Sequence, residues 1–134
     1  MKKNTILWAD DDIDDLQMMR EILLKNKREF EIVEVHNGKD ALQFLQQAKD
    51  SAKLPSLIIL DINMPVLDGK ESLSRIKRNK AYQSIPVVVF TTSNSELDRL
   101  YCQKFGTEMI TKPPTYSRLE SAVIKLLDYC RVDN

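Results

Sequence analysis

Short apolar runs alternate along this chain with segments of helical periodicity, and this alternation limits the fold more than any other feature. Five runs have the length and residue types of strands: 5–9, 30–35, 57–60, 85–90 and 108–111. An amphipathic segment follows each run, and we expect these helices to end near residue 27, before residue 55, and near residues 79, 105 and 129. The sequence therefore predicts a doubly wound α/β fold, in which five helices cover the two faces of a five-stranded parallel sheet.

The chain has 134 residues, of which 43% are apolar, and this size and composition predict a single domain over residues 1–134. Its 20 basic and 20 acidic residues balance, which excludes a general attraction for nucleic acid or for an anionic membrane surface. No apolar run approaches the roughly 20 residues that span a bilayer. Cys102 and Cys130 lack the spacing of a zinc site or a redox dithiol. We expect a cytoplasmic protein with neither nucleic acid nor membrane among its partners.

Polar residues follow four of the predicted strands at the point where each strand ends. They are Asp10 and Asp11 after the first strand, Asp61 after the third, Thr91 after the fourth and Lys112 after the fifth. The carboxyl ends of parallel strands meet at one edge of a sheet, and open α/β folds bind ligands there. Asp61 taken alone has a simpler interpretation, in which it starts an ordinary turn. Because several strand ends carry such residues, we favour a ligand-binding or catalytic site at this edge over an ordinary turn.

Other charged residues have structural explanations. Asp12 is suited to cap the first helix, and Asp14 and Asp15 fall in its first turn, where negative charge complements the helix dipole. The basic side chains of the third helix, Lys70 among them, are interpreted as a solvated surface. Neither explanation applies to Asp10 and Asp11 at the end of the first strand.

Carboxylates that converge at one sheet edge repel one another, so such a cluster raises a pKa or binds a cation. Oxygen ligands suit a hard cation, and Mg²⁺ is often held by one or two carboxylates and a substrate phosphate. Lys112 would pair with Asp61 or with an anionic group on it, and the Thr91 hydroxyl would bond to a phosphoryl oxygen. An aspartate can itself attack phosphorus when a metal and a lysine offset the charge. The sequence predicts Mg²⁺-dependent phosphoryl chemistry.

Four segments of the chain resemble the receiver domains of two-component response regulators. They are Ile-Leu-Trp-Ala-Asp-Asp-Asp at 6–12, Asp-Ile-Asn-Met-Pro-Val-Leu-Asp-Gly at 61–69, Val-Phe-Thr-Thr-Ser at 89–93 and Thr-Lys-Pro at 111–113. Each segment is weak evidence alone, but all four in this order, at the ends of strands one, three, four and five, are highly specific. The resemblance implies a flavodoxin-like sheet with the strand order 2-1-3-4-5.

The resemblance also implies a phosphoacceptor and a metal site. Asp61 would accept a phosphoryl group from a sensor histidine kinase or a histidine phosphotransfer protein. Mg²⁺ would bind to Asp61, to Asp11 directly, to Asp10 through water and to Asn63 through its backbone carbonyl. These residues would make the chain a phosphorylated signalling module.

Thr91 and Lys112 would then work as the switch. The resemblance implies that the added charge draws both residues inward and repacks the surface of the last two helices and the last strand, where an unknown downstream protein binds. It also implies a cis peptide bond before Pro113. The chain departs from the family pattern at Met109, where a switch aromatic is usual, and at Thr92, where a small residue is usual.

Three functions follow from these residues. The first is a stand-alone receiver without an output domain, which catalyses only its own phosphorylation and dephosphorylation. The second is a Mg²⁺-dependent phosphohydrolase with Asp61 as nucleophile, although such enzymes commonly carry a second acid where this chain has Asn63. The third is a receiver-shaped protein that only binds a partner, and the complete set of acids, hydroxyl and lysine argues against it. The first function is the one that we predict.

Overall fold

The computed structural model describes residues 4–26 and 28–130, which form a five-stranded parallel sheet with helices on both faces. The strands are β1 (Asn4–Ala9), β2 (Phe30–Val35), β3 (Leu57–Leu60), β4 (Val87–Thr91) and β5 (Glu108–Thr111). Their order is β2-β1-β3-β4-β5, and each neighbouring pair is parallel. The predicted flavodoxin-like order is confirmed. Because β1 and β3 are neighbours at the centre, the residues that follow them lie side by side.

Five α-helices connect and follow the strands. They are α1 (Ile13–Lys25), α2 (Gly38–Asp50), α3 (Gly69–Arg78), α4 (Glu96–Lys104) and α5 (Tyr116–Leu126). Successive strand side chains point to opposite faces of the sheet, so each strand supplies two cores. Trp8 and Phe90 pack with α1 and α5 on one face, whereas Leu7 and Ile58 pack with α2, α3 and α4 on the other. The predicted covering of both faces is confirmed.

Capping side chains fix the starts of four helices. Asp12, Asn37, Asp68 and Ser95 each accept a hydrogen bond from the backbone N–H three residues further on. The predicted cap at Asp12 is therefore confirmed. The first helix ends at Lys25, and residue 27, where its end was expected, lies outside the described residues.

The structure differs from the predictions at several places. β1 begins at Asn4 and β4 includes Thr91, each one residue beyond the expected bound. The fourth strand begins at Val87 rather than at residue 85, since Pro86 has no N–H to donate to a neighbouring strand. The last helix stops at Leu126, and the chain continues as a tighter 3-10 turn at Leu127–Tyr129. Every peptide bond among the described residues is trans, so the expected cis bond before Pro113 is wrong.

The loop between β3 and α3 folds back against the end of β3. The Gly69 N–H donates to the carbonyl oxygen of Ile62 at 2.9 Å, and a Cβ on Gly69 would overlap the carbonyl oxygen of Asp61. Only glycine permits this close approach. Val66, at the tip of the loop, has a φ of 66°, which is rare for a β-branched residue. Close packing of the loop therefore fixes the backbone around Asp61.

None of the helices described over residues 4–26 and 28–130 combines the length and the apolar character needed to cross a membrane.

Candidate functional site

Backbone hydrogen bonds beyond the strand ends hold the predicted site residues next to one another. The Asp10 N–H donates to the last residue of β2 at 3.0 Å, and the Asp61 N–H donates to the last residue of β1 at 2.9 Å. The Lys112 N–H likewise donates to the carbonyl oxygen of Thr91 at 2.6 Å. Each of these residues continues the pairing of its strand by one position. The four strand ends therefore meet at one edge of the sheet, as the sequence predicts.

Three carboxylates form a compact cluster at this edge. One ligand oxygen each from Asp10, Asp11 and Asp61 lies within 4.8 Å of the others. Asp10 is fully buried, Asp61 is 6% exposed and Asp11 is exposed to solvent. A set of hard oxygen ligands open to water on one side suits Mg²⁺ or Mn²⁺, which keep several waters when bound. The residues fit a divalent metal ion.

Lys112 is the cation of this crevice. Its ammonium lies 2.6 Å from Asp10 Oδ2, 2.9 Å from Asp15 Oδ2 and 3.5 Å from Asp61 Oδ2, and its side chain is only 6% exposed. One positive charge is thus shared among three carboxylates, and Asp11 lies beside two of them. The crevice keeps an excess of negative charge that a divalent cation would offset. Lys112 already points inward, so phosphorylation need not draw it there.

For both Asp10 and Lys112, burial and the interaction with the opposite charge shift the pKa in opposite directions. Burial raises the pKa of Asp10 to about 6, although the hydrogen bond from Lys112 favours the ionised carboxylate. Burial also disfavours the charged ammonium of Lys112, but its hydrogen bonds to Asp10 and Asp15 outweigh burial and raise its pKa above the usual value. Lys112 is therefore charged at neutral pH, whereas Asp10 takes up a proton in mildly acidic solution.

A cleft of about 570 Å³ opens beside the carboxylate cluster. Its lining includes Asp11, Asn63, Asp68, Lys70 and Asp98. Asn63, which the resemblance assigns to the metal site, therefore faces the same cleft as Asp11. The cleft is polar and open, which suits the approach of a charged group to the carboxylates rather than the enclosure of an apolar ligand.

Thr91 lies at the end of β4 and is fully buried. Its hydroxyl accepts a hydrogen bond from the Ser93 N–H at 3.3 Å, and a hydroxyl that accepts still has its own proton to donate. The hydrogen bond found for this side chain thus goes to the loop after β4 and not to the carboxylates. Met109, at the position of the usual switch aromatic, is buried in the core beneath α2, α3 and α4.

Two contributions to this site were missed from the sequence. Asp15 was assigned to the helix dipole, yet its carboxylate also accepts a hydrogen bond from Lys112. Its place in the first turn of α1, which follows β1 after a short loop, was the available signal. Lys70 was assigned to a solvated surface, but its ammonium lies 2.5 Å from Asp98 Oδ1 across the cleft. Lys70 and Asp98 are on different helices, so no local pattern could pair them.

The sequence is similar to a known family over most of its length. It matches the family model described as response regulator receiver domain over residues 6–124. Response regulator Rcp1 of Synechocystis sp. is 39% identical over 95 residues, which are 69% of this chain and 65% of that protein. The probable methanogenesis regulatory protein FilR2 of Methanothrix harundinacea is 37% identical over 98 residues, which are 71% of this chain and 63% of that protein. The chain thus spans less than two thirds of the length of these curated relatives.

The fold is similar to solved structures over nearly the whole of both chains. The phosphorylated cyanobacterial phytochrome response regulator RcpA superimposes with a TM-score of 0.88 at 31% identity, covering 96% of this chain and 94% of that one. The Mn²⁺-bound form of response regulator Rcp1 superimposes with a TM-score of 0.84 at 32% identity, covering 93% of this chain and 92% of that one.

Proposed function

This chain belongs to the response regulator receiver domain family, and we propose that it is a phosphoacceptor module of a two-component phosphorelay in which Asp61 is the acceptor. Receiver domains are regulatory domains that histidine kinases phosphorylate. The observation that carries the proposal is the environment of Asp61. Its carboxylate lies within 4.8 Å of those of Asp10 and Asp11 and 3.5 Å from the Lys112 ammonium.

In the proposed reaction, a carboxylate oxygen of Asp61 attacks the phosphorus of a phosphohistidine on a sensor histidine kinase or a histidine phosphotransfer protein. An O–P bond forms while the P–N bond breaks, and the electron pair stays on the imidazole nitrogen, which takes up a proton. The Ile62 N–H donates to Asp61 Oδ1 at 2.7 Å, and Oδ2 is the oxygen nearer to Lys112. This hydrogen bond orients the carboxylate before the phosphodonor arrives.

The proposed metal is Mg²⁺, which Asp11 and Asp61 would hold directly, with Asp10 acting through water and Asn63 through its backbone carbonyl. When bound, Mg²⁺ would offset the negative charge of the phosphoryl oxygens. Lys112 supplies a second positive charge 3.5 Å from Asp61 Oδ2, and its raised pKa keeps that charge in place at neutral pH. In the phosphorylated state, the Thr91 hydroxyl would donate a hydrogen bond to a phosphoryl oxygen.

The proposal includes a cytoplasmic location, where histidine kinases have access to ATP, and a downstream protein that reads the phosphorylated surface. It does not include turnover of an external substrate. A phosphohydrolase that uses an aspartate nucleophile commonly carries a general acid two residues later, and Asn63 at that position has no proton to donate as an acid. Multiple turnover on a panel of phosphoesters would contradict the proposal.

Incubation with Mg²⁺ and a small acyl phosphate is expected to add one phosphoryl group that is stable to acid and labile to base. Asp61→Asn should abolish this label, as measured by the mass of the intact protein. Asp68→Asn is the matched control, because Asp68 lines the same cleft and Asn can keep the N-cap bond to Glu71. A label that persists in Asp61→Asn, or that is lost equally in Asp68→Asn, would remove Asp61 from the proposed role.

A further inference from the structure

An ion pair joins two helices across the mouth of the cleft beside Asp61. Lys70 lies at the start of α3 and Asp98 in the first turn of α4, and the side chains are 34% and 14% exposed. The Lys70 ammonium also lies 5.6 Å from the centre of the Tyr101 ring. The Tyr101 hydroxyl donates to the backbone carbonyl of Lys70 at 3.0 Å. Lys70 thus holds α4 by three separate contacts.

Ser93 connects this ion pair to Thr91. The Ser93 hydroxyl donates to Asp98 Oδ2 at 2.6 Å, and its oxygen accepts from the N–H of Ser95, the N-cap of α4, at 3.2 Å. The Ser93 N–H donates to the Thr91 hydroxyl at 3.3 Å. Thr111 on β5 donates to the Ser93 carbonyl oxygen at 3.0 Å. A continuous hydrogen-bonded path therefore runs from the end of β4 to the first turn of α4.

We propose that Thr91, Ser93, Asp98 and Lys70 form a polar relay that holds α4 in place and transmits the phosphorylation of Asp61 to it. This inference deepens the proposed function and rests on it. Met109 has no side-chain hydroxyl, and its described polar contact with α4 is the hydrogen bond that its backbone carbonyl accepts from Arg99 at 3.1 Å. Polar side chains at the cleft reach α4 through Ser93 and Lys70. Ser93, Asp98 and Lys70 are positioning residues, whereas Thr91 also contacts the phosphoryl group in the proposed function.

Phosphorylation would act on both ends of the relay. A phosphoryl group adds about −1.5 to −2 charges, and Lys70 lines the cleft beside Asp11 that this group would enter. Its ammonium is then attracted by a stronger anion than the single carboxylate of Asp98. At the other end, Thr91 turns its hydroxyl toward the phosphoryl oxygen, which disturbs its bond with Ser93. Both changes loosen the first turn of α4.

Hydrogen exchange of the α4 amides tests the relay. We expect Lys70→Met and Asp98→Asn to increase exchange of residues 96–104 about threefold without phosphorylation, as expected for loss of a partly exposed ion pair. Phosphorylation of the wild-type chain with Mg²⁺ and a small acyl phosphate should cause a similar increase. In the two variants phosphorylation should add little, because the ion pair is already absent.

Two further variants separate the relay from general effects of charge. Lys70→Arg should keep the wild-type exchange of α4, since a guanidinium also pairs with Asp98. Arg75→Met breaks the exposed ion pair between Arg75 and Glu71 on α3 and should leave α4 unchanged. Equal exchange of α4 in Lys70→Met and in the wild type would overturn the relay. So would a full phosphorylation response in Asp98→Asn.

Intact mass measured on the same samples distinguishes failure of the relay from failure of the proposed function. A wild-type chain that carries no phosphoryl group overturns the proposed function, and the relay then has no phosphorylation to transmit. Hydrogen exchange of α4 in the Lys70 and Asp98 variants, compared with the wild type without phosphodonor, still decides whether the relay holds α4. A wild-type chain that is phosphorylated without any change in α4 overturns the relay alone.

Discussion

At the scale of single residues, the charge balance of the crevice depends on Lys112. Its ammonium is shared by Asp10, Asp15 and Asp61, and both Lys112 and Asp10 are almost completely buried. Removing one partner of a buried ion pair leaves uncompensated charge, which costs about 3 kcal/mol or more. Lys112→Met should therefore lower the free energy of unfolding by about 3 kcal/mol, as measured by urea denaturation without metal.

Mg²⁺ provides a second readout of the same variant. A divalent cation should stabilise Lys112→Met more than the wild type, because it then supplies the only positive charge among these carboxylates. Lys25→Met is the matched control, since its ion pair with Glu120 lies at the surface and should contribute little to stability. Equal stability of Lys112→Met and the wild type would contradict the proposed charge balance.

Asp10 should give metal binding a pH dependence. Its pKa is raised to about 6, mainly by burial, so protons compete with the cation in mildly acidic solution. The carboxylate is ionised above this pKa, and Mg²⁺ should therefore bind about tenfold more weakly at pH 5 than at pH 8. Mg²⁺ titration monitored by the fluorescence of Trp8, two residues before Asp10, measures this change.

The variant Asp10→Asn supplies the control for this titration. It cannot take up a proton near pH 6, so the pH dependence that belongs to Asp10 should disappear even if the overall affinity falls. A Mg²⁺ affinity that is constant between pH 5 and pH 8 in the wild type would contradict the assigned role of Asp10.

The sequence indicated most of the site at this scale but not all of its contacts. Asp10, Asp11, Asp61 and Lys112 were found because they follow strands within one or two residues, and strand ends can be predicted from apolar runs. Asp15 was missed because its place in a first helical turn already had a sufficient local explanation. One side chain can serve both the helix dipole and a distant cation, and only tertiary structure reveals the second role.

At the scale of elements, the loop from β3 to α3 depends on glycine. A Cβ at Gly69 would overlap the backbone of Asp61 and Ile62, so the loop would have to shift at the proposed phosphoacceptor. Gly69→Ala should lower the free energy of unfolding by about 2 kcal/mol or more and slow the phosphorylation of Asp61. Urea denaturation and the rate of labelling measure the two effects.

Gly106→Ala is the matched control for this substitution. Gly106 has a φ of 66°, but nothing lies within 4 Å of the added Cβ, so the variant carries backbone strain without a clash. It should lose about 1 kcal/mol of stability and keep the wild-type rate of labelling. Unchanged labelling in Gly69→Ala, or equal slowing in both variants, would contradict the importance of the close approach.

Strands were easier to predict than the contacts between helices. The bounds of β2, β3 and β5 agree with the sequence prediction, since each is a compact run with polar or turn residues at its ends. The ion pair between Lys70 and Asp98 could not be predicted, because the two residues are 28 positions apart in the sequence. Each also lies on a helix whose charged side chains are explained by exposure to solvent. Contacts of this kind depend on how α3 and α4 pack on the sheet.

At the scale of the whole molecule, the alternation of strands and helices predicted the layers but not the order of the strands. Several orders would cover the same two faces, and the order 2-1-3-4-5 came from the resemblance to receiver domains. That order brings β1 beside β3 and so places Asp10 beside Asp61, on which the proposed function depends. The strand order therefore determines which site residues are neighbours, although local sequence patterns alone do not specify that order.

The most direct test of Asp61 as the phosphoacceptor is chemical trapping followed by peptide mapping. Borohydride reduces an acyl phosphate to an alcohol, so it converts a phosphorylated aspartate to homoserine. After treatment with Mg²⁺ and a small acyl phosphate, we expect homoserine at position 61 and at no other aspartate. Homoserine at another aspartate, or none in a chain whose intact mass shows one bound phosphoryl group, would contradict it.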